Sequence, residues 1–180
     1  AYRNFEQDIF VHNIADNKTL NLTNTGVSET SPYWSPDGKY IYFEASRTKP
    51  SYPFGAPDVH IWRMPLDRLE RGYKSDKFAE LFREEPKKDD KKDDEKKDDK
   101  KDDKKADSKT AITVTINTDG LMRRLERISP EFGSQSNPFV IQKDDKTTVL
   151  YVSDHAEGKN NLWKTVITPF ESNKTEKIAG

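Results

Sequence analysis

Ser31-Pro-Tyr-Trp-Ser-Pro-Asp-Gly-Lys-Tyr-Ile-Tyr-Phe43, followed by His60-Ile-Trp-Arg63, is the stretch on which the reading of this sequence turns. Pro36 presets φ, Asp37 bonds nearby backbone through its carboxylate, and Gly38 supplies a positive φ, so Pro36-Asp-Gly38 predicts a tight turn. Trp34 ends the strand entering that turn and Lys39 opens the strand leaving it, which makes a β-hairpin with an aromatic anchor. The run Lys39-Tyr-Ile-Tyr-Phe-Glu-Ala45 is apolar on both of its alternating faces. A strand of that kind suits a sheet covered on both sides.

Working outward, the same unit recurs. Asp8-Ile-Phe-Val11, His60-Ile-Trp-Arg63 and Asn161-Leu-Trp-Lys164 each place a polar residue before an aliphatic and then an aromatic one. The first is followed by Asn17-Lys-Thr19 and Leu22, the third by Asn173-Lys-Thr175 and Ile178. Pro32-Tyr-Trp34 precedes the run at 39–45, as Pro138-Phe-Val140 precedes Thr147-Thr-Val-Leu-Tyr-Val152. Self-similarity on this scale marks a repeat architecture.

The pattern Ser-Pro-x-Trp-Ser-Pro-Asp-Gly-Lys, closing on an Ile-Trp strand, resembles the blade signature of TolB-like propellers. It is also similar to the propellers of prolyl-oligopeptidase-like and tricorn-type serine peptidases. Gln7–Ile14, Leu22–Lys39 and Thr115-Ile-Asn-Thr-Asp-Gly-Leu121 resemble the tricorn group in particular. The resemblance implies an all-β fold, a partial β-propeller of about two and a half four-stranded blades. On that template, residues 8–14 and 19–23 close one blade. Residues 31–34, 39–45, 58–64 and 112–117 form a second, whose outer strand Ile112-Thr-Val-Thr-Ile116 alternates strictly. Residues 138–142, 148–153, 161–167 and 176–179 form a third. Leu121, Met122, Leu125 and Ile128 fit a helical stripe, so 119–124 is read as a helical turn and 125–129 as a strand beyond it. Closed propellers typically hold four to eight blades, so two and a half read as part of a ring.

Composition divides the chain further. Residues 87–105 are nineteen consecutive Lys, Asp or Glu. Without them the charged share falls from 35% to about 27%, near the globular norm. The period-four pattern Lys-Lys-Asp-Asp sets like charges at i,i+4, which disfavours a helix, so a disordered linker is expected over 87–109. Just before it, Phe78, Leu81 and Phe82 fall on one helical face with Ser75 or Asp76 as cap, predicting a short amphipathic helix at 75–86. The organisation read from the sequence is therefore propeller blades at 1–74, the helix, the linker, and blade completion with a further blade at 110–180.

Little chemistry is legible. Net charge is −1 with pI near 6.4, which provides no basic stripe for nucleic acid. Cysteine is absent, excluding disulfides and thiolate chemistry and leaving both periplasm and cytoplasm open. No apolar run approaches a membrane span, and residues 1–10 are too polar for a signal peptide. His12, His60 and His155 stand alone, and Asp144-Asp145 lacks calcium-loop spacing. Ser153-Asp154-His155 holds the residue types of a triad, but a triad needs convergence from separate elements, so a polar turn is expected. Tyr52, Phe54 and Trp62 around the proline-stiffened loop 46–57 fit interdomain packing. No catalytic residue, metal ligand or cofactor is expected.

Arg123-Arg124 is the candidate binding pair, able to hold a carboxylate through charge-assisted hydrogen bonds, with a solvated face as the plainer reading. The tricorn resemblance implies a non-catalytic segment that scaffolds or gates peptide access to a catalytic core outside this chain. Its partners would be peptide or protein substrates and other blades and domains of the same chain, with a homo-oligomer left open. A TolB-like interaction propeller with no enzyme attached is the alternative, and a prolyl-oligopeptidase-like propeller the third.

Overall fold

The computed structural model describes residues 2–3, 6–47, 58–68 and 112–179. The helix expected at 75–86, the linker at 87–109, and Tyr52 and Phe54 lie outside these residues. Among the described residues there are twelve strands: β1 (Tyr2–Arg3), β2 (Glu6–Gln7), β3 (Phe10–Asn13), β4 (Lys18–Asn21), β5 (Glu29–Trp34), β6 (Tyr40–Ala45), β7 (His60–Pro65), β8 (Glu126–Arg127), β9 (Gln135–Lys143), β10 (Lys146–Ser153), β11 (Asn161–Ile167) and β12 (Lys174–Ala179). A single 3-10 turn, Leu121–Arg124, is the one helical element among the described residues. No helix among them is long and apolar enough to cross a membrane.

The fold is all-β and antiparallel. β5-β6-β7-β8 and β9-β10-β11-β12 are two four-stranded meanders, β3-β4 and β1-β2 are two-stranded, and none of these sheets closes on itself. The first meander is buried on both sides. Ile41, Phe43 and Ala45 of β6 pack with Ile9 and Leu22 beside the first hairpin and with Met64, Leu66 and Leu121. Tyr42, from the opposite face of β6, packs with Ile61 and Ile128 against Val140, Val149 and Tyr151 of the second meander. This explains the doubly apolar run at 39–45: its alternate residues fill two different cores. Full burial of each such side chain contributes roughly 1.5–3 kcal/mol.

The two meanders match residue by residue. Glu29 pairs with Ala45 as Gln135 pairs with Ser153. Phe43 pairs with Trp62 as Tyr151 pairs with Trp163. Trp62 faces Arg127 and Arg63 faces Glu126, as Trp163 faces Lys177 and Lys164 faces Glu176. Both cross-strand carboxylates form ion pairs, Arg63–Glu126 and Lys164–Glu176, the latter at 2.9 Å. Both first strands are also irregular at the same place. Ser31 (φ 51°) and Asn137 (φ 57°) adopt left-handed backbone just before Pro32 and Pro138, where the register shifts. Each is a bulge on an edge strand, the position within a sheet that tolerates proline.

One expected strand is reassigned. The fourth strand of the first meander is Glu126–Arg127, not residues 112–117. Ile112 and Val114 are exposed, while Ile116 rests against the first core. The methyl groups of Ile112 and Val114 lie over Gly38, where an added Cβ would meet them at 2.8 and 3.1 Å. The alternation at 112–116 thus reflects a segment draped over a turn, tied to the sheet where Asn117 N–H donates to Leu66 C=O (2.8 Å). The helical turn expected at 119–124 is present at 121–124.

Candidate functional site

The turn singled out by sequence is held by Ser35 as much as by its proline and glycine. Ser35 and Tyr40 close the hairpin, with Ser35 N–H donating to Tyr40 C=O (2.9 Å) and Tyr40 N–H donating to Ser35 Oγ (2.9 Å). Asp37 Oδ1 accepts from the Ser35 hydroxyl (2.5 Å) and from Lys39 N–H (3.1 Å). Gly38 has φ 70°, a conformation that glycine adopts without steric cost. Trp34 is 42% exposed.

Arg123 and Arg124 separate in role. Arg124 turns inward, donating from both terminal nitrogens to the carbonyls of Asp119 (2.7 Å) and Asn117 (2.5 Å). Asn117 Oδ1 in turn accepts from Asp119 N–H (3.0 Å), and Arg68 pairs with the Asp119 carboxylate. Arg124 is therefore a clasp for the loop entering the 3-10 turn. Arg123 is exposed.

Ser153, Asp154 and His155 lie on a polar turn. Ser153 Oγ does reach His155 Nδ1 (2.8 Å), because the chain folds back so that His155 N–H also points to that hydroxyl (3.2 Å). The acid does not complete a triad: Asp154 Oδ1 accepts from Ser134 N–H (2.7 Å). Ser153 is fully buried, so its hydroxyl is closed to a substrate carbonyl. The imidazole lies 4.2 Å from the Trp163 ring, and burial lowers its pKa, with Asp154 opposing. Gly133 (φ 68°) presses on this turn, and a Cβ there would come within 2.7 Å of His155 Cα and closer still to Asp154. Gly133→Ala is expected to cost roughly 2–4 kcal/mol from strained backbone and overpacking, measured as a lowered urea midpoint with unchanged slope.

The sequence reading missed a second duplicated feature. Thr23 Oγ1 accepts from Ile9 N–H (3.0 Å), and Ser129 Oγ accepts from Ile61 N–H (3.0 Å). Beside them, Leu22 N–H donates to Ile9 C=O (2.8 Å) and Ile128 N–H donates to Ile61 C=O (2.9 Å). Six residues after each hydroxyl comes a buried side chain opening the next sheet, Glu29 or Gln135. Gln135 accepts from the Ser129 hydroxyl (2.6 Å) and donates to the carbonyls of Phe132 (2.9 Å) and Gly133 (3.0 Å). A hydroxyl six residues before an acid or amide is the signal that would have exposed this link.

Glu29 is the charged version of Gln135. Its Oε1 lies 2.6 Å from the Thr25 hydroxyl and 3.3 Å from Arg47, while Oε2 is buried with no hydrogen-bond partner. Burial raises its pKa above the ordinary carboxylate value, Asp8 adds to that, and the Thr25 and Thr23 hydroxyls and Arg47 oppose it. A raised folded-state pKa contributes stability that is fully present below the unfolded value and lost as pH rises through the folded one. Glu29→Gln is therefore expected to raise stability near neutral pH by roughly 1–2 kcal/mol, the scale of an unpaired buried polar atom. The gain should disappear in acid, and melting curves across pH 4–8 measure it.

No three or more His, Cys, Asp or Glu side chains among the described residues are grouped to hold a metal ion. Arg123 is an exposed cation, and the bulged, proline-bearing sheet edges resist adding a strand. No family model, no curated protein and no solved structure matches the chain.

Proposed function

We propose that this chain is a non-catalytic run of β-propeller blades from a tricorn-like serine peptidase, guiding or gating peptide access to a catalytic core outside these residues. The observation that carries the reading is the duplicated sheet unit, with its repeated proline bulge, hydroxyl link and cross-strand ion pair. Stacking copies of one antiparallel unit is how propellers and other repeat folds build a core. The buried Ser153 and the diverted Asp154 support a role without hydrolysis.

The test is direct. The purified chain is expected to hydrolyse no peptide, and to bind peptides with a free C-terminal carboxylate weakly through Arg123. Arg123→Ala should weaken that binding about threefold to tenfold, or roughly 0.7–1.4 kcal/mol, and leave amidated peptides unaffected. Turnover that persists through repurification and is lost on mutating a residue of this chain would overturn the reading. Absence of any peptide binding would favour the TolB-like interaction protein.

A further inference from the structure

The two meanders differ at one titratable position. The register sets Ala45 opposite Glu29 as it sets Ser153 opposite Gln135, so Arg47 and His155, two residues beyond Ala45 and Ser153, hold the same place in the repeat. Both lie against the tryptophan of the third strand. The Arg47 guanidinium is 5.6 Å from the centre of the Trp62 ring, and the His155 imidazole is 4.2 Å from that of Trp163. Arg47 stays charged at any ordinary pH. His155 becomes a cation only on taking up a proton.

The hydrogen bonds at His155 decide which nitrogen holds its hydrogen. His155 backbone N–H donates to Ser153 Oγ (3.2 Å), which leaves the hydroxyl hydrogen to reach Nδ1 (2.8 Å). Nδ1 is then the acceptor, and Nε2 carries the hydrogen. A proton added at Nδ1 turns it into a second donor aimed at Ser153 Oγ. The hydroxyl hydrogen then loses its acceptor at a fully buried residue, which is costly. The indole offers the new cation another partner, as Trp62 does for Arg47. The same turn holds the loop 130–134 that joins the meanders. Ser134 N–H donates to Asp154 Oδ1 (2.7 Å), and Gly133 presses on His155. On its other side the loop is tied to the first meander, where Gln135 N–H donates to Val59 C=O (2.7 Å) and His60 Nε2 donates to Glu131 C=O (2.8 Å). A carbonyl needs a donor, so His60 keeps that bond whether its ring is neutral or charged. Asp154 is the charge that acts on the His155 ring. Of the other charged groups on the elements around it, Glu157 pairs with Lys177 of β12 (3.2 Å) and Glu131 with Arg127 (3.7 Å).

We propose that His155 is a proton-operated switch: neutral, it locks the turn after β10 through Ser153, and protonated, it moves onto Trp163 and frees the loop 130–134 between the two meanders. Burial lowers the pKa of His155 against the opposing charge of Asp154. The lock is therefore complete above the ordinary histidine value of about 6.5 and is lost as pH falls through the lower folded value. The switch does not depend on peptide handling, so each can fail without the other.

Nitrogen–proton spectra of the histidine rings and amide exchange, both recorded on the full chain from pH 8 to pH 4.5, test this. His155 is expected to carry its hydrogen on Nε2 at pH 8 and to titrate below the ordinary value. As it does so, the amides of Ser134 and Gln135 should exchange roughly fivefold faster or more, after correction for the intrinsic pH dependence. His155→Asn keeps an acceptor for the Ser153 hydroxyl and gains no proton, so it should abolish that acceleration. His155→Arg supplies the cation of Arg47 and should show the faster exchange at every pH. Three results overturn the proposal: a His155 ring with its hydrogen on Nδ1 at pH 8, a His155 that titrates with no change at Ser134 and Gln135, or an acceleration that is the same in His155→Asn. The first two are read on the unmodified chain, so they decide the matter even where a variant fails to fold.

Discussion

Arg63→Ala is expected to lower unfolding free energy by about 3 kcal/mol, and Lys164→Ala by less than about 1 kcal/mol, although the two residues hold the same place in the repeat. Both pair with a glutamate directly across the sheet. Burial makes the difference. Removing Arg63 takes the ion-pair partner from a Glu126 carboxylate that is only 26% exposed, and it also removes a guanidinium stacked 4.7 Å over the Tyr40 ring. Arg63 further influences Tyr42, whose pKa is pushed up to about 12, chiefly by burial, against the opposing charge of Arg63. Lys164 reaches an exposed partner. Lys164 lowers the pKa of Glu176 through a hydrogen bond and its charge, an effect that solvent screens. Urea unfolding of the two variants measures the contrast, and equal losses would refute the assignment of burial as its cause.

Gln135→Ala is expected to cost about 2–4 kcal/mol, more than an average substitution. Gln135 is 1% exposed and is the partner of three groups at once: the Ser129 hydroxyl and the carbonyls of Phe132 and Gly133. Its loss takes this partner from the buried Ser129 hydroxyl and from the two part-buried carbonyls, and leaves a small cavity. The loop they belong to also seats Gly133 against Asp154 and His155, so the damage should spread to the Ser153–His155 contact. Gln135→Glu is the informative companion. It restores the side-chain volume and can still accept from Ser129, but once ionised it cannot donate to the carbonyls, so it should recover part of the loss at low pH and little at neutral pH. Thermal melts of the two variants at pH 4 and pH 7 separate these outcomes.

The legible parts of the fold were those governed by local chemistry. Pro36-Asp-Gly38 specifies its turn within a few residues, and the aromatic of each third strand, Trp62 and Trp163, marks a position that the register confirms as equivalent. The fourth strand of the first meander was not legible, because at two residues its alternation carries no signal. Glu126-Arg127 becomes recognisable only beside Glu176-Lys177, and only once their partners Arg63 and Lys164 are known. Residues 112–116 alternate more regularly, yet that regularity serves the contact over Gly38. The left-handed backbone at Ser31 was hidden too, since a residue before proline normally favours extended geometry. For the site, spacing along the chain was a poor guide. It gave no sign that Ser153 and His155 meet, and a reversal of two residues brings them together. It grouped Arg123 with Arg124, although the carbonyls of Asn117 and Asp119 hold only the second.

The central claim is that the chain repeats one four-stranded antiparallel unit, and that Glu126–Arg127 completes its first full copy. Nuclear Overhauser measurements on the isotope-labelled chain test this most directly. Backbone cross-strand contacts are predicted between Trp62 and Arg127 and, in the matching place, between Trp163 and Lys177. Contacts linking residues 112–117 to residues 61–64, with none to Glu126 or Arg127, would contradict it.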